Sequence, residues 1–252
     1  MCGNIRRGQV RGLNNERLIV MKIGIFGGSF NPVHSGHVNL AKKAIGDFAL
    51  DRLVVIPANV SPFKTDGASA EEPAFSPDMR LMLVRAAFNG VAKVVVDDRE
   101  LKRGGVSFAI DTVREIAAEN EGAAIVFLVG EDSVEGLPRW KDYDSLVKLC
   151  RFESYPRTKE SSTEVRRRLK AGEPIDDLVP QSVAMFIKYG VRESEDAKIV
   201  AAVRAGLIRK DGFCPCRLPK LPEFFCPCDE FKKQMADPAF HGLCHCRLYL
   251  KP

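Results

Sequence analysis

The chain has 252 residues, 45% of them hydrophobic and 28% charged, with a formal charge of +5. That length buries one sizeable core with room for a small second module, and the composition is that of an ordinary globular protein. No apolar run approaches the ~18–20 residues that a bilayer requires. The Lys/Arg clusters, RRRLK at 166–170 included, fit solvated helix faces and phosphate ligands better than a nucleic-acid groove.

Residues 1–20 are basic but lack the apolar stretch of a secretory signal, so they read as a flexible extension of a cytoplasmic protein. Lys22 to Phe26 is a short β-branched run, the pattern of a buried parallel strand. It runs into Gly27-Gly28-Ser29 and Phe30, where absent or small side chains let backbone N–H groups approach an anion. His34 and His37 then flank Gly36 at the start of a helix. Two imidazoles three residues apart lie on one face, beside the positive end of the helix dipole. This is a phosphate-handling site. No Gly-Lys-Ser/Thr follows, so it is not a P-loop, and the third glycine of a dinucleotide fingerprint is missing.

Further strands are predicted at 53–57, 93–97 and 124–129, alternating with helices at 37–49, 78–89, 108–120 and 142–149. Such alternation implies a parallel sheet with helices on both faces. Residues 58–77 are rich in Pro, Ser and Ala and read as a loop over the site. RFESY at 151–155 is a fifth strand candidate, polar at Arg151, Glu153 and Ser154 and so poorly suited to burial on both faces. SSTE at 161–164 has the form of a capping box and opens another helix. A helix at 180–189 ends at Gly190, and the charged stretch 190–197 reads as a linker. The expected fold is α/β, a Rossmann-like doubly wound parallel sheet over 21–190, with a small cysteine-rich domain over 191–252.

The sequence KIGIFGGSFNPVHSGHVNLA at 22–41 carries an H-x-G-H motif and resembles the bacterial nicotinate-nucleotide adenylyltransferases of the nucleotidyltransferase superfamily. The likeness extends to VVIPANVSPFK at 54–64, ELKRGGVSFAIDT at 100–112, FLVGEDS at 127–133, LPRWKDY at 137–143 and SSTEVRRRL at 161–169. It implies that ATP and nicotinate mononucleotide are the substrates. The attacking phosphate is already an anion, so charge neutralisation and in-line positioning carry the rate and no general base is needed. His34 and His37 can donate to phosphates. Ser162, Thr163 and Arg166 stand at a second helix N-terminus, where the guanidinium could grip phosphate oxygens in pairs. Lys64 is a further phosphate candidate, and Mg²⁺ is expected on the triphosphate. The resemblance also implies that Asp132, after Gly130, contacts the adenosine ribose and that Trp140 stacks on the pyridine ring. Three departures stand out. Ala109 replaces a common Thr and Phe63 a common His. About two dozen residues common before the SST motif are reduced here to Thr158, Lys159 and Glu160.

Of eight cysteines, six crowd into the C-terminal stretch as Cys214-Pro215-Cys216, Cys226-Pro227-Cys228 and Cys244-His245-Cys246. C-x-C pairs suit thiolate ligation of a cluster better than bridging between neighbours, and zinc more often takes C-x₂₋₄-C spacing. The stretch resembles the catalytic subunit of ferredoxin–thioredoxin reductase. That resemblance implies a [4Fe–4S] cluster on Cys214, Cys226, Cys228 and Cys244. It also implies a redox pair of Cys216 and Cys246, a thioredoxin-like target and a ferredoxin-like donor. Three readings compete: a bifunctional transferase–reductase, a redox protein with a degenerate transferase half, and a transferase with a structural metal knot.

Overall fold

Residues 20–62, 75–156 and 158–252 are described in this computed structural model. Five strands form one parallel sheet in the order β3-β2-β1-β4-β5. They are β1 (Lys22–Gly28), β2 (Arg52–Pro57), β3 (Val94–Val96), β4 (Ala124–Gly130) and β5 (Arg151–Tyr155). Strand alternation divides the core in two. Leu53, Val55, Val126 and Leu128 face one layer, whereas Ile23, Ile25, Val54, Ile56 and Phe127 face the other. The first layer packs on α1 (Ser35–Asp47), α2 (Pro77–Ala87) and α7 (Gln181–Lys188), and the second on α4 (Ala109–Glu119) and α5 (Tyr143–Leu149). Gly24 is fixed by close approach: a Cβ there would lie 2.5 Å from Leu50 and 2.6 Å from Leu53.

The polar run RFESY does form the fifth strand, paired in parallel with β4 from Val126↔Arg151 to Gly130↔Tyr155. Its polarity is tolerated because β5 is an edge strand with one ladder free. From Tyr155 the chain reaches α6 (Ser162–Ala171) within seven residues, and the Ser161 side chain caps that helix by accepting from the Glu164 N–H. The first helix begins at Ser35, two residues earlier than its sequence pattern indicates, because His34 takes the extended cap conformation. The short α3 (Arg99–Arg103), ended by Gly104 at φ +70°, carries too few residues to show a helical period.

The stretch read as a linker is partly ordered. β6 (Arg192–Glu193) pairs with β8 (Tyr249–Lys251), which also pairs with β7 (Gly242–Leu243), giving a small antiparallel sheet. With α8 (Ala197–Arg209) and α9 (Asp229–Ala236) this sheet frames the cysteines. The module docks on the C-terminal end of α2. Asn89 Nδ2 donates to the carbonyls of Gly212 (2.9 Å) and Cys226 (3.0 Å). Phe225 lies over Gly90, where a Cβ would meet its ring at 2.7 Å. Glu193 joins Arg85 of α2 (3.4 Å) to Arg204 of α8 (Nε 2.9 Å).

Candidate active site and cysteine pocket

The loop after β1 turns sharply at Phe30, whose φ of +43° folds its ring back over Gly28. A Cβ on Gly28 would sit 3.2 Å from that ring, closer than ordinary packing, so the glycine gives the ring room. The underside of this loop is held by Arg80 of α2. Its guanidinium donates to the carbonyls of Ser29 (2.7 Å), Ala58 (2.7 Å) and Asn59 (3.0 Å). One buried cation therefore ties the phosphate loop to the segment after β2, and hydrogen bonds to a charged group are the stronger kind.

His34 and His37 stack with ring centroids 3.6 Å apart at the N-terminus of α1. The His34 N–H donates to His37 Nδ1 at 3.1 Å. In its neutral form His37 must then carry its proton on Nε2, which leaves an N–H donor for a phosphate oxygen. His34 is buried, with its Nδ1 lacking a partner among the described residues. Burial lowers the His34 pKa to about 4, with Glu160 opposing the shift. Burial and then the neighbouring His34 hold His37 well below the usual imidazole range. Both rings are thus neutral in the free protein, and an arriving phosphate would raise their proton affinity.

The ATP-side residues expected from sequence meet this loop. Ser162 Oγ donates to the Pro32 carbonyl at 2.8 Å, Arg166 donates to the Asn31 carbonyl at 2.9 Å, and Arg166 Nη2 donates to Thr163 Oγ1 at 3.3 Å. The shortened connection between β5 and α6 lays Thr158 against α1: a Cβ on Gly36 would be only 2.1 Å from Thr158 Oγ1. Asp132 folds back over the end of β4, since a Cβ on Gly130 would lie 2.5 Å from its Oδ1. Lys64 and Phe63 lie outside the described residues.

A cavity of about 460 Å³ opens beside the loop, lined by Gly27, Gly28 and Ser29 together with Phe108, Phe127 and Trp140. Trp140 meets Phe127 edge-to-face at 5.6 Å and Phe152 at 5.9 Å. Aromatic lining of this kind can pack against a flat ring. Sequence reasoning placed Trp140 here but missed its charged lining: Glu100, Arg139 and Lys141. Glu100 is buried and receives the Thr112 hydroxyl at 2.6 Å. Burial raises its pKa, while hydrogen bonds from Thr112 and Ser107 pull the other way. Ser107 also accepts from the Asn59 N–H at 2.9 Å, linking Glu100 to the segment that Arg80 clamps. The signal was present in ELKRGGVSFAIDT, where the buried Glu precedes its two hydroxyl partners.

In the cysteine module, Cys214, Cys226, Cys228, Cys244 and Cys246 line one small pocket with Phe231, His245 and Tyr249. All five are buried, and Cys216 is exposed. Cys246 stands 3.5 Å from Cys244, and the Tyr249 N–H reaches Cys244 Sγ at 3.3 Å. The thiol hydrogen bonds of Cys246 favour the thiolates of Cys214 and Cys244 and raise the pKa of Cys246 itself. Cys246, expected as a redox partner of Cys216, is hydrogen-bonded to Cys214 and Cys244, the two cysteines read as ligands, while Cys216 is hydrogen-bonded to Cys214. Among the described residues, no three His, Cys, Asp or Glu side chains converge in the manner of a metal-ion site. The pocket has room for roughly one water-sized guest.

Comparison with known proteins matches residues 25–191 to the cytidylyltransferase-like family. A curated protein of Gemmatimonas aurantiaca, named "Probable nicotinate-nucleotide adenylyltransferase", is 37% identical over 195 residues, covering 66% of this chain and 90% of the relative. A protein of the same name from Methylacidiphilum infernorum is 33% identical over 187 residues, covering 66% and 89%. Among solved structures, the Plasmodium falciparum nicotinic acid mononucleotide adenylyltransferase complexed with NaAD superposes with a TM-score of 0.51. It is 16% identical and covers 68% of this chain and 96% of that one, a likeness of fold. The family match ends at Val191, before the six C-terminal cysteines. Over its N-terminal two thirds, the chain belongs to the nicotinate-nucleotide adenylyltransferase family of cytidylyltransferase-like proteins.

Proposed function

We propose that the chain transfers the adenylyl group of ATP to nicotinate mononucleotide, forming nicotinate adenine dinucleotide in NAD biosynthesis. The observation that carries this reading is the aromatic slot of Phe108, Phe127 and Trp140. It opens onto Gly27–Ser29, next to the paired imidazoles at the start of α1. The pyridine ring stacks in the slot and its 5′-phosphate points along the loop. A phosphate oxygen attacks the α-phosphorus of ATP, the bond to the bridging oxygen breaks, and pyrophosphate leaves with that electron pair. The His37 Nε2–H, the loop N–H groups and the dipole of α1 stabilise charge on the phosphates in transit. Arg166, held on the Asn31 carbonyl, places a cation at the same loop. Mg²⁺ bound with ATP would supply further charge neutralisation at the triphosphate, and the ligands would come mainly from substrate oxygens and water. A pyrophosphate-release assay on the full chain tests the assignment. His37→Ala is expected to lower kcat by about 10²–10³, the usual loss of one such donor. Near-normal kcat with the fold intact would overturn the role of His37.

A second reading concerns the cysteines, and it is favoured by the five buried cysteines that line one pocket, although their side chains do not converge as a metal-ion site does. We infer that Cys214, Cys226, Cys228 and Cys244 hold an iron–sulfur cluster. The donor set fits in part: the sulfurs are buried and unbridged, and Cys214 and Cys244 are biased toward thiolate, whereas burial raises the pKa of Cys226 and Cys228. The space fits less well. The pocket as it stands holds about one small guest, so Cys246 would have to withdraw for a cluster to enter. A disulfide-reductase activity with thioredoxin-like and ferredoxin-like partners gains no support from the family match, which stops at Val191. Metal analysis of anaerobically purified protein is the test. Four iron atoms per chain are expected; zinc without iron would overturn the assignment.

A further inference from the structure

Arg80, near the start of α2, is 3% exposed. A buried guanidinium is ordinarily matched to a carboxylate. Here burial lowers its pKa and no acidic group opposes the shift. Its charge is met instead by three carbonyl dipoles from two segments: Ser29 at 2.7 Å, Ala58 at 2.7 Å and Asn59 at 3.0 Å. A planar fork of donors suits such a set, which a single ammonium matches poorly.

What these bonds achieve lies on the opposite edge of each peptide. A trans peptide directs its C=O and its N–H to opposite sides. The Ser29–Phe30 peptide is trans, and its carbonyl is on Arg80, so the Phe30 N–H faces away from the guanidinium. That N–H has no hydrogen-bond partner among the described residues. Phe30 also holds φ +43°, a left-handed shape that a bulky residue keeps only when its surroundings impose it. The Ala58–Asn59 peptide follows the same rule, with its carbonyl on Arg80 and its N–H donated to Ser107 Oγ at 2.9 Å. Ser107 is hydrogen-bonded in turn to the buried Glu100 carboxyl, which also receives the Thr112 hydroxyl at 2.6 Å. One line of bonds thus runs from a buried cation through a peptide and a hydroxyl to a buried acid. Bonds aligned in such a chain polarise one another.

Resting on the adenylyl-transfer reading above, we propose that Arg80 is a positioning residue for that reaction. It fixes the Ser29–Phe30 peptide so that the Phe30 N–H is preset for charge on the transferred phosphate, and the Ser107–Glu100 line anchors the other arm of the clamp. A donor fixed in advance stabilises that charge without reorganising during the step. Arg80 touches no reacting atom and acts through the backbone of the loop. If it only braced the fold, its loss would reduce the number of competent molecules and leave the rate of each one intact.

The test compares the full chain with Arg80→Met and Arg80→Lys. Competent sites are counted by titrating the fluorescence of Trp140, the only tryptophan in the chain, with nicotinate mononucleotide. Pyrophosphate release is then expressed per competent site. Arg80→Met is expected to lower kcat per site by about 10²-fold, the scale of one lost oxyanion donor. Arg80→Lys keeps the charge without the planar fork and should fall between, about tenfold below the parent. A kcat per site within twofold of the parent in either folded variant would overturn the proposal. Affinity for inorganic pyrophosphate, measured by calorimetry, requires no turnover and should weaken about tenfold in Arg80→Met. A parent chain that binds pyrophosphate but releases none from the two substrates would contradict the transferase reading. In that case an affinity unchanged in Arg80→Met would overturn the role of Arg80, and a weakened one would uphold it.

Discussion

His34 shows how one side chain couples the site to pH. Its folded pKa is lowered to about 4 by burial, against about 6.5 for a free imidazole. Between those values the unfolded chain binds a proton that the folded chain does not, so stability falls as pH drops through that window. From pH 7 to pH 5 the loss from this one group is on the order of 2 kcal/mol. Urea melts of the parent and His34→Gln at both pH values test it, with His37 the one neighbour whose titration the substitution also eases. The variant is expected to lose less stability on acidification by about that amount, and equal losses would refute the account. Residues of this kind were only half legible in the sequence. The H-x-G-H spacing exposes both imidazoles as one face of a helix. The bond from the His34 N–H to His37 Nδ1, which sets the tautomer, depends on the extended cap at His34. Glu100 and Arg80 were missed for a related reason. Arg80 depends on partners such as Ser29, 51 residues away, which nothing in local spacing announces, whereas Glu100 had its Thr112 hydroxyl 12 residues on in the same motif, which shows the residue but not the contact.

At the level of elements, α2 is the member that serves two sites. Ser76 caps it, Pro77 opens it, and Arg80 in its first turns holds the carbonyls of Ser29, Ala58 and Asn59. At its other end Arg85 reaches Asp98 at 3.1 Å and Glu193 at 3.4 Å, while Asn89 just beyond it holds the cysteine module. A rigid helix with charged clamps at one end and a docking surface at the other transmits small shifts rather than absorbing them. The amphipathic pattern of 78–89 revealed that the helix exists, but neither clamp. The β5–α6 connection gives the complementary lesson. A strand as polar as RFESY is a poor candidate for a buried sheet, and only its place at the edge makes the short route to Ser161 workable. That route then sets Thr158 against Gly36 and Glu160 near His34, contacts that follow from the shortening itself.

For the whole molecule, the question is whether the transferase fold and the cysteine module unfold as one body. A single cluster of buried side chains runs from Phe30 under the phosphate loop, through Leu83 of α2 and Phe186 of α7, to Cys226, Phe231 and Tyr249. Phe186 packs edge-on against Tyr249 at 4.6 Å, so the ring that backs the cysteine pocket is also a core residue of the sheet layer. A module of this size has too little apolar area to stand alone, and its packing on α2 and α7 supplies the missing core. Unfolding is therefore expected to be one cooperative transition. Trp140 fluorescence reports the aromatic slot, and mass-resolved labelling of Cys226 reports the module. In a urea series on the full chain the two midpoints should coincide. Asn89→Ala leaves the carbonyls of Gly212 and Cys226 without this donor and should lower both midpoints together, by a cost of about 1–3 kcal/mol. Labelling of Cys226 at urea concentrations where Trp140 fluorescence is still native would show instead that the module opens independently. In that case the shared core would fail as the explanation of how the two parts are held together.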